Sequence, residues 1–272
     1  MVSRVPPGIG NNLFSKIQNK MKEWIVGRNP VFEALKAKRR HFFRLLIANN
    51  IQEKGRITEI IKLSHAIKIR IEHVPRDQLN TKGQNHQGIA LETSGYTYHS
   101  IQDILGKAYE LNEAPFILIL DSLQDPQNLG TLIRTAEIIG VHGVILPLRR
   151  TATITPAVVS SSSGASEHIM ISQANLSQMI SYLQEQEVWV LGLEDSTDAQ
   201  ELMEINLTGP LAIVVGSEGT GMRSLVRKSC DQLTKLPMRG QIESLNAAVA
   251  GSIALYIAWQ VRGFTGKQGK TH

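Results

Sequence analysis

The chain has 272 residues, of which 42% are hydrophobic and 19% charged, with a formal net charge of +5 and one cysteine, Cys230. That length suits two domains, since ~150 residues is a usual domain size, and a lone cysteine excludes an intramolecular disulfide framework. The longest apolar run, Ala247 to Trp259, is shorter than the ~20 residues a bilayer span needs. No apolar core follows the basic residues at the start, so neither a membrane partner nor a secretory signal is expected, and the expected location is cytoplasmic.

The charge is unevenly spread. Residues 1–95 hold 17 Lys and Arg against 7 Asp and Glu, and residues 96–272 hold 12 against 17. A concentrated positive field favours a polyanionic partner. Lys36, Lys38, Arg39, Arg40 and Arg44 form the densest basic cluster, and the expected RNA contacts are Arg28, Lys38, Arg39, Arg40 and Arg44. A basic face that is merely solvated is the other reading of the same residues.

Taken in order, residues 1–22 are rich in Pro, Gly, Asn and Lys and are expected to be a flexible segment. Residues 23–95 read as a small αβ domain. Its helices are expected from Asn29 and over Ile57–Ala66, with a short turn at Arg76–Asn80. Its strands are expected at Phe42–Ile47, Ile67–His73 and Gly88–Glu92. Residues 96–113 read as a polar linker containing a short helix at Ile101–Tyr109. From 114 to 264 strands and helices alternate. Strands are expected at Phe116–Leu120, Gly143–Leu146, Val188–Leu193, Leu211–Val215 and Leu233–Leu236. Helices are expected at Leu129–Ile139, Ala157–Ser163, Leu176–Gln184, Arg223–Lys228 and Ser244–Gly263. Such alternation implies an α/β fold with a parallel sheet covered on both faces. Residues 265–272 are expected to be a flexible tail.

Three strand ends carry polar residues suited to chemistry. After Phe116–Leu120 comes Asp125-Pro126, read as a breaker, then Asn128, Gly130 and Arg134 at a loop-to-helix junction. Beyond the carboxyl ends of strands is where open α/β sheets bind ligands. After Leu211–Val215 comes Gly216-Ser-Glu218-Gly219-Thr-Gly221. This run lacks the G-x-G-x-x-G dinucleotide spacing, and no Walker-type Gly-Lys-Ser/Thr follows it. A tight turn carrying an exposed Glu would explain it equally well. After Leu233–Leu236 comes Pro237-Met238-Arg-Gly240-Gln-Ile-Glu-Ser244-Leu245-Asn246, where Ser244 reads as the N-cap of the last helix. The eight histidines have no ligand spacing, so no metal is expected. No G-x-S-x-G elbow marks a hydrolase.

Together these residues resemble a known family. Asp125-Pro-x-Asn128-x-Gly130-x-x-x-Arg134, Gly216-x-Glu218-Gly219-x-Gly221 and Pro237-Met238-x-Gly240-x-x-x-Ser244-Leu245-Asn246 are similar to the three motifs of SpoU/TrmH-type RNA methyltransferases of the SPOUT superfamily, in order. Gly27-Arg-Asn-Pro-Val-Phe-Glu-Ala-Leu35 and His86-Gln-Gly-Ile-Ala90 resemble the L30e-like substrate-binding domain of RlmB-type enzymes. The resemblance implies a C-terminal α/β-knot domain with a deep trefoil knot, a homodimer formed through that domain, and S-adenosyl-L-methionine as cofactor. Gly216, Leu236, Leu245, Leu193 and Met238 are the implied cofactor-binding residues. Arg134, Asn128, Glu218, Ser244 and Asn246 are the implied catalytic set. The implied reaction is methylation of a ribose 2′-hydroxyl, with a guanosine of 23S ribosomal RNA as substrate. The chain departs from the family at Ala247-Ala248, where Val-Ser is common. Thr155–Glu167 is also similar to relatives that methylate adenosine for antibiotic resistance. Another ribosomal or transfer RNA ribose, or a non-catalytic assembly role, are the alternatives.

Overall fold

The computed structural model describes residues 22–149, 152–242 and 244–266. The expected flexible ends fall outside these residues, apart from Lys22, Thr265 and Gly266. The described residues form two compact units, one of 22–98 with 153–168 and one of the remainder.

In the first unit β1 (Lys22–Val26) leads to α1 (Arg28–Ala37), β2 (Phe42–Ala48), α2 (Arg56–Ala66), β3 (Arg70–Val74), α3 (Arg76–Asn80) and β4 (Ile89–Ser94). The sheet runs β1-β4-β2-β3, with β4 antiparallel to β1 and β2, and β3 parallel to β2. Val31, Ala34 and Leu35 recur at helical spacing and are the buried side of α1.

The second unit begins with α4 (Ile101–Glu110) and β5 (Phe116–Leu120), then α5 (Pro126–Ile138), β6 (Gly143–Pro147), and, after the excursion containing α6 (Pro156–Ser161), β7 (Met170–Ala174). It continues through α7 (Leu176–Glu185), β8 (Trp189–Leu193), β9 (Gln200–Glu201), β10 (Leu211–Val215), α8 (Ser224–Ser229), β11 (Gln232–Lys235) and α9 (Ala247–Val261). Every pairing is parallel, in the order β7-β6-β5-β10-β8-β11-β9. The strands FILIL and LAIVV are buried throughout, as a sheet covered on both faces requires.

The structure departs from the expected elements in instructive places. β1, β7 and β9 were not anticipated: KEWIV and MISQA are short and partly polar, and β9 has two residues. Asp125-Pro126 does not break a helix but starts one. Asp125 accepts from the N–H groups of Gln127 (3.0 Å) and Asn128 (3.3 Å), and Pro126 occupies the first turn, where a missing N–H costs nothing. Ser244 is likewise not the cap of the last helix. Asn246 is, its Oδ1 accepting from the N–H groups of Ala248 (2.9 Å) and Val249 (3.1 Å). The expected linker 96–113 contributes to a core, since Ile101, Ile104 and Leu105 of α4 join the hydrophobic cluster of the second unit.

Residues 153–168 were expected inside the 114–264 domain, but they pack with the first unit. Glu167 is fully buried and takes Arg40 as a two-point partner, Nε at 2.9 Å and Nη2 at 2.8 Å, while Arg40 Nη1 reaches Glu23 at 2.9 Å. Burial opposes the Arg40 charge, but the two carboxylates outweigh it and raise its pKa. Removing one member of such a buried set costs about 3–5 kcal/mol, because a charge is left uncompensated. His168 pairs with Glu33 at 2.7 Å in the same unit.

Candidate active site

Chain order reverses between β5 and β10: from β5 the chain proceeds outward to β6 and β7, and the other half of the sheet lies on the β10 side. Ligands bind outside the carboxyl ends of strands at such a point. Asp121 directly follows β5 and Gly216 directly follows β10. After Gly216 the chain closes a tight loop, with the Ser217 and Gly221 backbones exchanging hydrogen bonds at 3.1 and 3.0 Å. Gly219 and Gly221 take φ of 77° and 66°, which glycine adopts at no steric cost. A Cβ on Gly216 would stand 2.4 Å from the Gly221 carbonyl carbon, so only glycine allows this closure.

The loop carries Glu218 to the start of α5 and the cap of α9. Glu218 Oε1 accepts from Asn128 Nδ2 at 3.0 Å and from Asn246 Nδ2, and Asn246 Nδ2 also reaches Asn128 Oδ1 at 3.2 Å. One residue from each of the three sequence constellations thus enters one cluster. The carboxamide of Asn246 is divided between two tasks, its oxygen capping α9 and its nitrogen holding Glu218.

Beside the cluster is a cavity of ≈ 800 Å³ at the ends of β8, β10 and β11. Leu193, Gly216, Leu236, Met238 and Leu245 line it, as do Glu218, Ser244 and Asn246. Asn128 touches this group through Glu218 and Asn246 without lining the cavity. Arg134 stands on an exposed side of α5 and is not among the lining residues.

Sequence reasoning did not single out Asp121, Arg223 or Glu194. Asp121, fully buried, accepts from Arg223 N and Nε and from Ser122 Oγ. Glu194 lines the cavity and is held by Arg227 Nε at 2.6 Å. A carboxylate immediately after an all-apolar strand was the available signal for Asp121. Cys230 packs against the sheet near Gly192, and burial pushes its thiol up to about 12, so it is not a nucleophile. Among the described residues no group of His, Cys, Asp and Glu could hold a metal ion.

The expected basic surface needs correction. Arg40 is buried and committed to Glu167 and Glu23, so it cannot reach a phosphate. Arg44 pairs with Glu92 at 2.8 Å and Glu72 at 3.3 Å, which offsets its charge. Lys36 and Lys38 are exposed, and Arg28 and Arg39 are half-buried. Among the described residues no helix is long and apolar enough to cross a membrane.

This arrangement has relatives. Residues 115–256 match the SpoU rRNA Methylase family, and residues 24–99 match the family described as RNA 2'-O ribose methyltransferase substrate binding. The chain is 38% identical to the TrmH-family protein YacO of Bacillus subtilis (strain 168) over 92% of its own length and 100% of the relative's. It is 37% identical to a TrmH-family protein of Staphylococcus saprophyticus over 89% and 97%. The crystal structure of the SpoU methyltransferase AviRb from Streptomyces viridochromogenes, in complex with the cofactor AdoMet, superposes with a TM-score of 0.74 at 20% identity, covering 93% of each chain. That of the AdoMet-bound rRNA methyltransferase from Sinorhizobium meliloti gives 0.71 at 21% identity, covering 94% and 97%. With both family matches in order and one residue of each motif meeting beyond the carboxyl ends of the strands, the chain belongs to the SpoU rRNA methylase family of RNA methyltransferases.

Proposed function

We propose that the chain methylates a ribose 2′-hydroxyl of ribosomal RNA, a guanosine of 23S RNA, using S-adenosyl-L-methionine. The observation that carries this reading is the cavity at the ends of β8, β10 and β11 with the Glu218–Asn128–Asn246 cluster at its rim. The lining fits the cofactor. Leu193, Leu236, Met238 and Leu245 offer apolar walls to a purine, and Gly216 leaves backbone open to approach. The carboxylates of Glu194 and Asp195 complement a cationic amino acid moiety. When bound, the sulfonium supplies an already activated methyl group.

The protein's task is then alignment and help with one proton. Two carboxamides fix the Glu218 carboxylate, so it can accept a hydrogen bond from an incoming hydroxyl with little reorganisation. Ser244 and Asn246 border the same space. A guanidinium is a planar two-point partner for phosphate oxygens and a poor base, and this sets the role of Arg134. Its part is to hold the phosphate next to the reacting ribose, not to act as a base. Val249, Ile253 and Tyr256 give α9 an exposed apolar side, 45%, 39% and 51% accessible, and this supports a homodimer through the knot domain. A knotted chain path and a cytoplasmic location complete the reading.

The test is transfer of tritiated methyl groups to unmodified 23S RNA and transfer RNA, with nucleoside mapping of the product. A 2′-O-methylguanosine in 23S RNA is the expected outcome. Label in transfer RNA would move the target, a methylated base would overturn the ribose assignment, and calorimetry showing no S-adenosylmethionine binding would overturn the whole reading.

A further inference from the structure

The first unit has a cleft of its own, of ≈ 620 Å³, where Arg28 and Asn29 of one N-terminal motif meet Gln87 and Gly88 of the other. It lies between the start of α1, the turn after β2, the start of α2 and the loop before β4. Arg28, Arg56 and Arg76 face it, with Asn29, Asn49 and Gln87 between them. Arg56 and Arg76 were not among the residues expected to contact RNA.

The three cations are differently held. Arg28 is oriented through its stem, its backbone N–H donating to Gln87 Oε1 at 3.0 Å and its Nε to the Gln87 carbonyl at 3.4 Å. Neither bond uses its terminal Nη groups. Arg56 lies 3.9 Å from the centroid of the Phe32 ring, which fixes the guanidinium plane, and Nη1 contacts Glu59 at 2.7 Å. Arg76 is exposed, and among the described residues no carboxylate forms an ion pair with Arg28 or Arg76. Burial, and after it the Arg76 charge, hold the His86 imidazole below its ordinary pKa. That imidazole accepts from Gly88 N at 2.9 Å, in the loop that forms one wall. Asn50 and Gln87 take φ of 59° and 50°, and Gly88 takes 82°, where a Cβ would strike Ile51 Cδ1 at 2.4 Å. The walls are therefore turns closed on each other.

We infer that this cleft holds the sugar-phosphate backbone of a single-stranded segment of the RNA substrate, with phosphates on Arg28, Arg56 and Arg76. The inference rests on the RNA methyltransferase reading and gives it a docking site. Planar guanidinium groups bind phosphate oxygens in pairs. The exposed carboxamides of Asn29, Asn49, Asn50 and Gln87 both donate and accept, as base edges and 2′-hydroxyls require. Their exposure suits a chain passing through, not a mononucleotide enclosed on all sides. Through Arg28 and Arg76 the cleft also supplies what Arg40 and Arg44 cannot, cations with no ion-pair carboxylate among the described residues.

Arg28→Ala/Arg76→Ala and, separately, the exposed Arg76→Ala test this in the full-length protein. RNA affinity is followed against salt with a fluorescent fragment of 23S RNA, and S-adenosylmethionine affinity by calorimetry. The double variant is expected to lose at least tenfold in RNA affinity. Its slope of log affinity against log salt should fall by about 1.4 to 1.8, from roughly 0.7–0.9 per lost phosphate contact. Cofactor affinity should stay unchanged, and Arg76→Ala should show about half the change in slope. Unchanged RNA affinity and slope in both variants, with wild-type methyl transfer intact, would overturn the docking site and leave the enzyme reading standing. A wild-type protein that binds no RNA would overturn both. Guanosine monophosphate competing as tightly as the RNA fragment, in a manner lost with Arg76→Ala, would show a nucleotide site in place of RNA docking.

Discussion

The fully buried carboxylate of Asp121 receives two hydrogen bonds from Arg223, one from its backbone N–H at 2.8 Å and one from its Nε at 2.7 Å. Asp121 ends β5 and Arg223 ends the loop that begins at Gly216, so this pair fastens the first motif to the second. It fixes the far end of the loop that presents Glu218. Asp121→Asn keeps the shape but loses the charge, and a buried charged hydrogen bond lost this way costs about 1–3 kcal/mol. Urea unfolding should show that loss, and calorimetry should show weaker S-adenosylmethionine binding. Arg223→Ala, at an exposed position, should weaken cofactor binding comparably with a smaller stability loss. Unaltered cofactor affinity in both variants would mean that the loop holds its shape without the pair.

Gly216→Ala should damage the cofactor site more than the fold. The added methyl would fall 2.4 Å from the Gly221 carbonyl carbon and 2.5 Å from Met222 N, and backbone cannot swing aside as a side chain can. Overpacking of this kind costs about 1–3 kcal/mol. The loop is the part free to open, so at least a tenfold loss of S-adenosylmethionine affinity is expected by calorimetry, with the far-ultraviolet circular dichroism unchanged.

Asn246 separates structure from chemistry. Asn246→Ser retains an N-cap oxygen but lacks the nitrogen that holds Glu218, whereas Asn246→Ala loses both. The Ala variant should lose about 1 kcal/mol of stability, and the Ser variant only a few tenths. Methyl transfer should fall in both to a similar degree, tenfold or more in kcat. Full activity in Asn246→Ser would remove the Glu218 contact from the proposed mechanism.

The pH dependence of stability should include His142, which is almost fully buried. Its Nδ1 accepts from Phe116 N at 3.0 Å, so the neutral ring carries its proton on Nε2 and donates it to Glu113 at 3.1 Å. Burial lowers its pKa below 6.5 despite Glu113. The unfolded chain therefore takes up a proton before the folded one. Stability is complete above pH 6.5, falls as pH drops through that value, and levels off once the folded protein is also protonated. The slope from this one group is at most about 1.4 kcal/mol per pH unit. In His142→Asn, whose Oδ1 can still accept from Phe116, urea midpoints between pH 8 and 5 should lose this component.

Ile253→Glu tests the proposed homodimer. A carboxylate on the exposed apolar side of α9 should be tolerated in a monomer and disfavoured in a buried interface. Sedimentation velocity should show a wild-type dimer and a variant monomer with the same helical content. A wild-type monomer at tens of micromolar would remove the dimer from the reading.

Much of the fold was legible because local signals agreed. Phe116–Leu120 and Leu211–Val215 are apolar runs of strand length bounded by turn residues, and both are fully buried strands. β7 escaped because MISQA has no flanking Gly or Pro and too little apolar surface to signal by itself. It is a strand because β6 pairs with it along five residues. The helix starts at Asp125 and Asn246 were misplaced for a related reason. A cap is chosen by which side chain meets free N–H groups, and several polar residues nearby could have done so.

The sequence by itself determined the parallel α/β architecture, the order of the three motifs and the residues of those motifs, because periodicity and turn chemistry act over a few positions. Tertiary structure alone decided which of those residues meet. Asn128, Glu218 and Asn246 are 90 and 28 residues apart along the chain, and the pairing of β5 with β10 together with the packing of α9 on α5 closes those distances. It also decided which cations are usable. Arg40 and Arg44 read the same as Arg28 and Arg76 in a list of charges, but burial against Glu167 and Glu23 or pairing with Glu92 commits the first two to structure. Charge is local to a residue, whereas its availability depends on what the fold places beside it.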